Sequence, residues 1–220
     1  MKQTLLLMTM FLLACGISLQ AQKYWSFELM GGMVYNVPLP LVIEQNGFPD
    51  IRIHKALFCT EPLVSPWYWD WRFARINKLQ HFEFEAIHHK LYLLNKPAEV
   101  ERFGISHGFN MFFINYGRDW HKLILKAGAG PVVIHPESTI LGKVYPEGPG
   151  FDIKGYRLKG IAFQLAVARP FYISKVFFIN TEVKIIAGFV NAPIVEGKAK
   201  VSNLSLQLLL GPGVKFGKRR

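Results

Sequence analysis

HFEFEAIHHKLYLLN (81–95), KPAEVER (96–102) and FGISHGFNMFFINYG (103–117) form the stretch whose reading decides the fold. Two long runs alternate apolar and polar residues and are joined by a polar turn containing Pro97. Period-two alternation either side of such a turn specifies an antiparallel hairpin. Both arms exceed the usual strand of roughly five or six residues. Glu83 and Glu85 fall on one face of the first arm, with Phe82, Phe84 and Ala86 on the other. On the second arm Ser106, Gly108 and Asn110 oppose Ile105, Phe109 and Met111.

Outward from this hairpin the same alternation recurs. Trp67, Trp69, Trp71 and Phe73 share a face against Tyr68, Asp70 and Arg72. Asn180, Glu182 and Lys184 alternate with Ile179, Thr181, Val183 and Ile185; Asn203, Ser205 and Gln207 alternate with Leu204, Leu206 and Leu208. Strands are expected at about 51–58, 67–76, 81–93, 102–116, 121–134, 158–173, 176–190 and 199–216. Residues 24–45 add either a further hairpin or a segment outside the wall, because Pro38 and Pro40 interrupt them. The nearest helical candidate is Ala162–Ala168.

Half of the 220 residues are hydrophobic, 14% are aromatic and only 19% are charged. Yet no run after residue 22 approaches the ~20 apolar residues of a membrane helix. A soluble barrel or sandwich would bury Trp69, Phe84, Val183 and Leu206 and leave the charges in water. A membrane barrel inverts this, and its polar interior suits the interleaved Gly, Ser, Asn, Glu, Lys and Arg. The expected fold is therefore all-β: an antiparallel up-and-down transmembrane β-barrel of 8–10 strands with a polar filled interior, occupying residues 23–220. Its lumen network would comprise Glu28, Asp70, Arg72, Glu83, Glu85, Asn110, Lys126, Glu182 and Lys184. Cross-strand neighbours would be Arg72–Glu85, Glu85–Asn110, Asn110–Lys126, Glu182–Gln207 and Lys184–Ser205.

Residues 1–22 have the form of a signal peptide: Lys2, an apolar stretch from Leu5 to Ile17, and Leu19-Gln20-Ala21 as the cleavage site. Leu12-Leu13-Ala14-Cys15 is an alternative lipoprotein site. With Cys15 removed, Cys59 has no internal disulfide partner. The net charge of +11 in an exported chain argues against nucleic acid and for phosphate-rich lipid headgroups. Connections alternate in length: 60–66, 94–100, 135–157 and 191–198 are long, while 77–80, 117–120 and 174–175 are short. Short turns belong to the periplasm and long loops to the outside, which would send the strand at 51–58 outward.

In this pattern of strands and loops, residues 24–216 resemble the small outer-membrane β-barrels of Gram-negative bacteria. That group includes OmpA-like structural barrels, lipid A deacylases and the lipid A palmitoyltransferase. The resemblance is architectural. It implies outer-membrane lipid and lipopolysaccharide as surroundings and the barrel-assembly machinery as a partner. Many such chains end on an aromatic residue, whereas Phe216 here is followed by Gly-Lys-Arg-Arg.

For chemistry, Gly104-Ile105-Ser106-His107-Gly108 matches G-x-S-x-G, but that motif needs a strand–turn–helix setting and here lies within a strand. The candidate catalytic residues are His88, His89, Ser106 and His107. The expected register sets His88 against His107 and His89 against Ser106, and a His beside a Ser can activate its hydroxyl. The plain alternative makes these histidines rim residues that meet lipid phosphates. No cofactor is expected, and no metal-ligand spacing such as H-E-x-x-H occurs.

Overall fold

A computed structural model describes residues 23–145 and 155–217. The expected signal peptide with Cys15, part of the connection at 135–157, and residues 218–220 lie outside the described residues. Twelve strands are present: β1 (Lys23–Val37), β2 (Leu39–Gln45), β3 (Ile51–Ala56), β4 (Phe58–Cys59), β5 (Trp69–Asn77), β6 (Gln80–Leu93), β7 (Val100–Trp120), β8 (Leu123–Ile140), β9 (Lys143–Tyr145), β10 (Arg157–Tyr172), β11 (Phe177–Ile194) and β12 (Gly197–Phe216). Every pairing is antiparallel.

These strands assemble into eight staves. β1 pairs with β12 from Trp25↔Phe216 to Val37↔Leu204, and β2 continues along the same strand at Leu41↔Val201. β1 and β2 are thus one stave broken at Pro38, which has no N–H to give the ladder. Residues 24–45 are not an extra hairpin. Likewise β4 pairs with the end of β6 and β5 with its start, so β3, β4 and β5 run in one direction as a second interrupted stave. The expected strands at 51–58 and 67–76 are two parts of this single stave, and residues 60–68 interrupt its wall rather than reverse the chain. It follows that 51–58 runs from the loop end toward the turn end, opposite to expectation.

The ladder closes on itself. β1 bonds β5 on one edge and β12 on the other, and β5, β6, β7, β8, β10, β11 and β12 follow in order. Closure leaves the long staves no open edge. It also satisfies the backbone polar groups that lipid cannot.

Several connections are tighter than the sequence implies. β7 extends to Trp120, so its turn is only His121-Lys122. β11 and β12 are separated by Val195-Glu196 alone, not by a long loop. β8 reaches Ile140 and turns through Leu141-Gly142 into β9, where φ values of 50° and 70° give both central residues the left-handed conformation of a type I′ turn.

Alternation then decides the faces. Leu165, Leu208, Leu210, Val183 and Ile185 are exposed on the outside, whereas Arg72, Glu85, Glu182 and Lys184 are buried within. The expectation of a wholly polar interior holds only for the half nearest the turns. Toward the loops the inward side chains are Leu41, Ile43, Leu91, Ile105, Phe109, Met111, Ile134, Val190 and Val201, all buried in one apolar cluster. An eight-stave barrel is just wide enough for side chains to fill, so the bore is packed rather than open.

Candidate functional site

Asp70, Arg72, Glu83, Glu85, Lys126, Glu182, Lys184 and Glu28 all point inward and are buried. Each is a charged residue at the inward phase of an otherwise apolar strand, so the pleat alone brings the charges of five staves together. Arg72 occupies the centre. Its Nη2 lies 2.8 Å from Asp70 Oδ2, its Nη1 2.8 Å from Glu182 Oε2 and 3.6 Å from Glu28 Oε2, and its Nε 3.1 Å from Glu85 Oε1. Lys184 Nζ lies 2.8 Å from Asp70 and 3.0 Å from Glu182, and also bonds Glu85. Lys126 Nζ lies 2.6 Å from Glu182 and 3.3 Å from Glu83.

Neutral amides complete the network. Asn115 donates to Glu83 (2.8 Å) and Glu85 (2.6 Å). Gln164 donates to Asn115 Oδ1 (2.7 Å) and to Glu85. Asn180 donates to Glu28 at 2.6 Å, and Tyr68 donates to Gln207 at 2.7 Å above the charged layer. Asp70, Glu85 and Glu182 bring carboxylate oxygens within 4.8 Å of one another. Arg72 and Lys184 touch all three, so side chains supply the cations there.

Space for this network comes from small inward residues. Gly128 faces Asn115 across the ladder, and a Cβ at Gly128 would lie 1.7 Å from Asn115 Oδ1 and 3.0 Å from the backbone oxygen of Ile114. Gly128→Ala is therefore expected to push Asn115 off Glu83 and Glu85 and to destabilise the barrel by about 1–3 kcal/mol, the usual cost of an unmade buried hydrogen bond. Urea unfolding in lipid vesicles reads this; an unchanged midpoint would mean that the network does not need Asn115 in place.

One expected member is elsewhere. Phe109, Met111 and Phe113 take the inward phase of β7, so Asn110 lies on the other face of the wall, where its Oδ1 sits 2.8 Å from His88 Nδ1. The expected neighbours of Asn110 change accordingly: it opposes His88 and Val133, not Glu85 and Lys126. Arg72 does oppose Glu85. Lys184 opposes Gln207, and Glu182 opposes Leu209. Asn115 and Gln164 were not among the expected lumen residues. The available signal was a lone amide at the inward phase of an apolar or small-residue run.

The expected histidine pairs do not form. His88 opposes Asn110 and stacks on Trp69, while His89 opposes Phe109 and shares a 2.9 Å hydrogen bond with Thr60. Register shifts between His89 and Leu91, and between Ile105 and Phe109, move Ser106 and His107 out of the predicted alignment. Ser106 Oγ instead lies 3.4 Å from His107 Nδ1, and the His107 ring packs against His135.

At the turn end the bore narrows to a cavity of about 20 Å³ lined by Tyr24, Glu28, His81, Lys126, Tyr172 and Asn180. That is room for a water molecule and little else.

No family model matches the chain, and no curated protein matches its sequence. Among solved structures it is similar to the outer membrane protein AlkL in lipid bilayers, at 12% identity over 90% of this chain and 92% of that one, with a TM-score of 0.49. It is similar also to the outer membrane protein OprG from Pseudomonas aeruginosa (11% identity, 90% and 98% covered, TM-score 0.37). A third similarity is to Ail, the attachment invasion locus protein of Yersinia pestis (9% identity, 90% and 99% covered, TM-score 0.39 or below). The resemblance is thus one of architecture, to small outer-membrane β-barrels.

Proposed function

We propose that this chain is an integral outer-membrane β-barrel with a structural or lipid-binding role, its short turns in the periplasm and its longer connections outside. The observation that carries this reading is inverted polarity. Arg72 is 0% and Lys184 1% exposed, whereas Leu165 is 66% and Leu208 59% exposed. A water-soluble protein would pay heavily for both halves of that arrangement, while a wall against acyl chains requires it. The crossing of Arg72, Lys184 and three carboxylates through the middle of the bore argues against a diffusion pore.

Two measurements test the reading. The folded protein is expected in the detergent-soluble outer-membrane fraction, running as a compact band that shifts on boiling. In planar bilayers it is expected to give no stepwise conductance. Recovery in a soluble fraction without detergent would favour an exported soluble lipid-binding barrel, and open-channel steps would favour a pore.

An acyl hydrolase acting on lipid A is the second reading, supported by the contact between Ser106 and His107. It predicts that cells carrying the protein lose a lipid A acyl chain and that Ser106→Ala restores it. An unchanged lipid A mass spectrum removes this reading.

A further inference from the structure

The two rims of the barrel are charged differently. At the loop end cations and anions are mixed and paired: Lys143 with Glu196, Lys198 and Lys200 with Glu44, Arg52 with Asp50. At the turn end, Arg75, Lys78, Arg118, Lys122, Arg169 and Lys175 are all exposed. Among the described residues none of these six has an ion-pair partner. The remaining acidic side chain at this end among the described residues is Asp119, at the mouth of the bore and paired with His81 at 2.9 Å.

Their placement is regular. Arg75 follows the outward Phe73 by one pleat, Arg118 follows Tyr116, and Arg169 follows Val167; Lys78, Lys122 and Lys175 occupy the three turns. The cations thus lie at the turn-end margin of the apolar wall, where on β10 the exposed Phe171 follows Arg169. Aromatic rings lie among them: Trp120, Phe171 and Phe177 are exposed, and the Arg75 guanidinium lies 4.7 Å from the Trp25 ring centroid. Aromatic residues of this kind settle at the level of lipid headgroups. A ring of cations at that level, on three staves and the turn that follows each, has the height and the charge to meet phosphate groups rather than a single compact ligand.

Building on the membrane-barrel reading, we propose that this turn-end ring is a binding surface for anionic glycerophospholipid headgroups of the leaflet that surrounds it. Each cation then draws an annular lipid into the notch between its own stave and the neighbouring aromatic. The surface selects phosphate-rich anionic lipids over zwitterionic ones.

The test is tryptophan quenching by brominated lipids in reconstituted vesicles. The full chain is placed in phosphatidylcholine bilayers carrying either dibrominated phosphatidylglycerol or dibrominated phosphatidylcholine. Native protein is expected to prefer the anionic lipid about fivefold, the effect of one basic residue near an anionic surface. Substituting the six residues by glutamine is expected to reduce that preference to about one, and so is salt near 1 M, where screening acts over about 3 Å. The loop-end variant Lys143→Gln/Lys198→Gln/Lys200→Gln is expected to keep it. Equal quenching by the two lipids in the native protein overturns the proposal, as does a preference that survives the six substitutions or is lost in the loop-end variant. Absence of quenching by either lipid would overturn the membrane reading itself.

Discussion

Arg72→Met is expected to cost about 3–5 kcal/mol of barrel stability, the range for removing one partner from a buried ion cluster. The magnitude follows from what remains. The buried plug holds the carboxylates of Glu28, Asp70, Glu83, Glu85 and Glu182 against the cations of Arg72, Lys126 and Lys184. Negative groups are already in excess. Taking away the guanidinium leaves Asp70, Glu85 and Glu182 facing one another across the bore with only two ammonium groups to share. Arg72→Lys is expected to recover part of the loss, because an ammonium restores the charge but not the fork that reaches Asp70 and Glu182 at once. Glu83→Gln runs the other way. It removes one of the surplus charges, keeps an acceptor for Asn115, and leaves Lys126 its 2.6 Å contact with Glu182. Its expected cost is well below that of Arg72→Met. The measurement is the urea midpoint of the compact electrophoretic band in lipid vesicles. An Arg72→Met midpoint matching the native one would mean that the plug is hydrated and contributes little to holding the staves together.

The plug was legible in the sequence because its members are isolated charges inside apolar runs. Glu83 between Phe82 and Phe84, or Lys184 between Val183 and Ile185, has one physical reading once the strand period is accepted. The loop-end half was not legible for the opposite reason. On β7 the phase of Phe109 and Met111 faces inward and that of Asn110 outward, the reverse of the turn-end half, so polarity alone names the wrong face. Register also had to be carried across irregularities that period-two reasoning does not detect. The shift between Ile105 and Phe109, where Gly108 adopts a φ of 140°, gives β7 two more residues than either neighbour and separates Ser106 from the expected His89. Two extra residues keep the phase, so Asn110 lies outside because the face it shares with Phe112 and Ile114 is the outward one. The stave formed by β3, β4 and β5 reads as two strands in the sequence because residues 51–58 and 67–76 each have the length of a complete one. Only pairing with β2 and β6 shows that the chain continues in the same direction after residues 60–68.

Leu208→Arg is the sharper test of where this barrel lives. Leu208 sits at the middle of the outward apolar run of β12, opposite Val183 on one side and Met33 on the other, and all three are exposed. If those residues met water, the substitution would be an ordinary surface change worth within about 0.5 kcal/mol. Against acyl chains an arginine at mid-depth costs about 2–4 kcal/mol, falling to about 0–1 near the interfaces. The expected result is therefore a profile along one stave. Arginine at Leu208 is most costly, at Leu206 or Leu210 less, and at Ser202 close to neutral, because Lys200 beyond it already marks the polar rim. A soluble barrel has no reason to rank these positions by height, since each side chain would meet the same solvent. A flat profile in vesicle refolding would remove the membrane from the account, whereas a peak at Leu208 would locate the bilayer midplane on the wall. With the midplane fixed there, the ring at Arg75, Arg118 and Arg169 falls at the headgroups of one leaflet, and the ionic plug lies inside the span, where its charges are held by one another and by the amides of Asn115, Gln164 and Asn180.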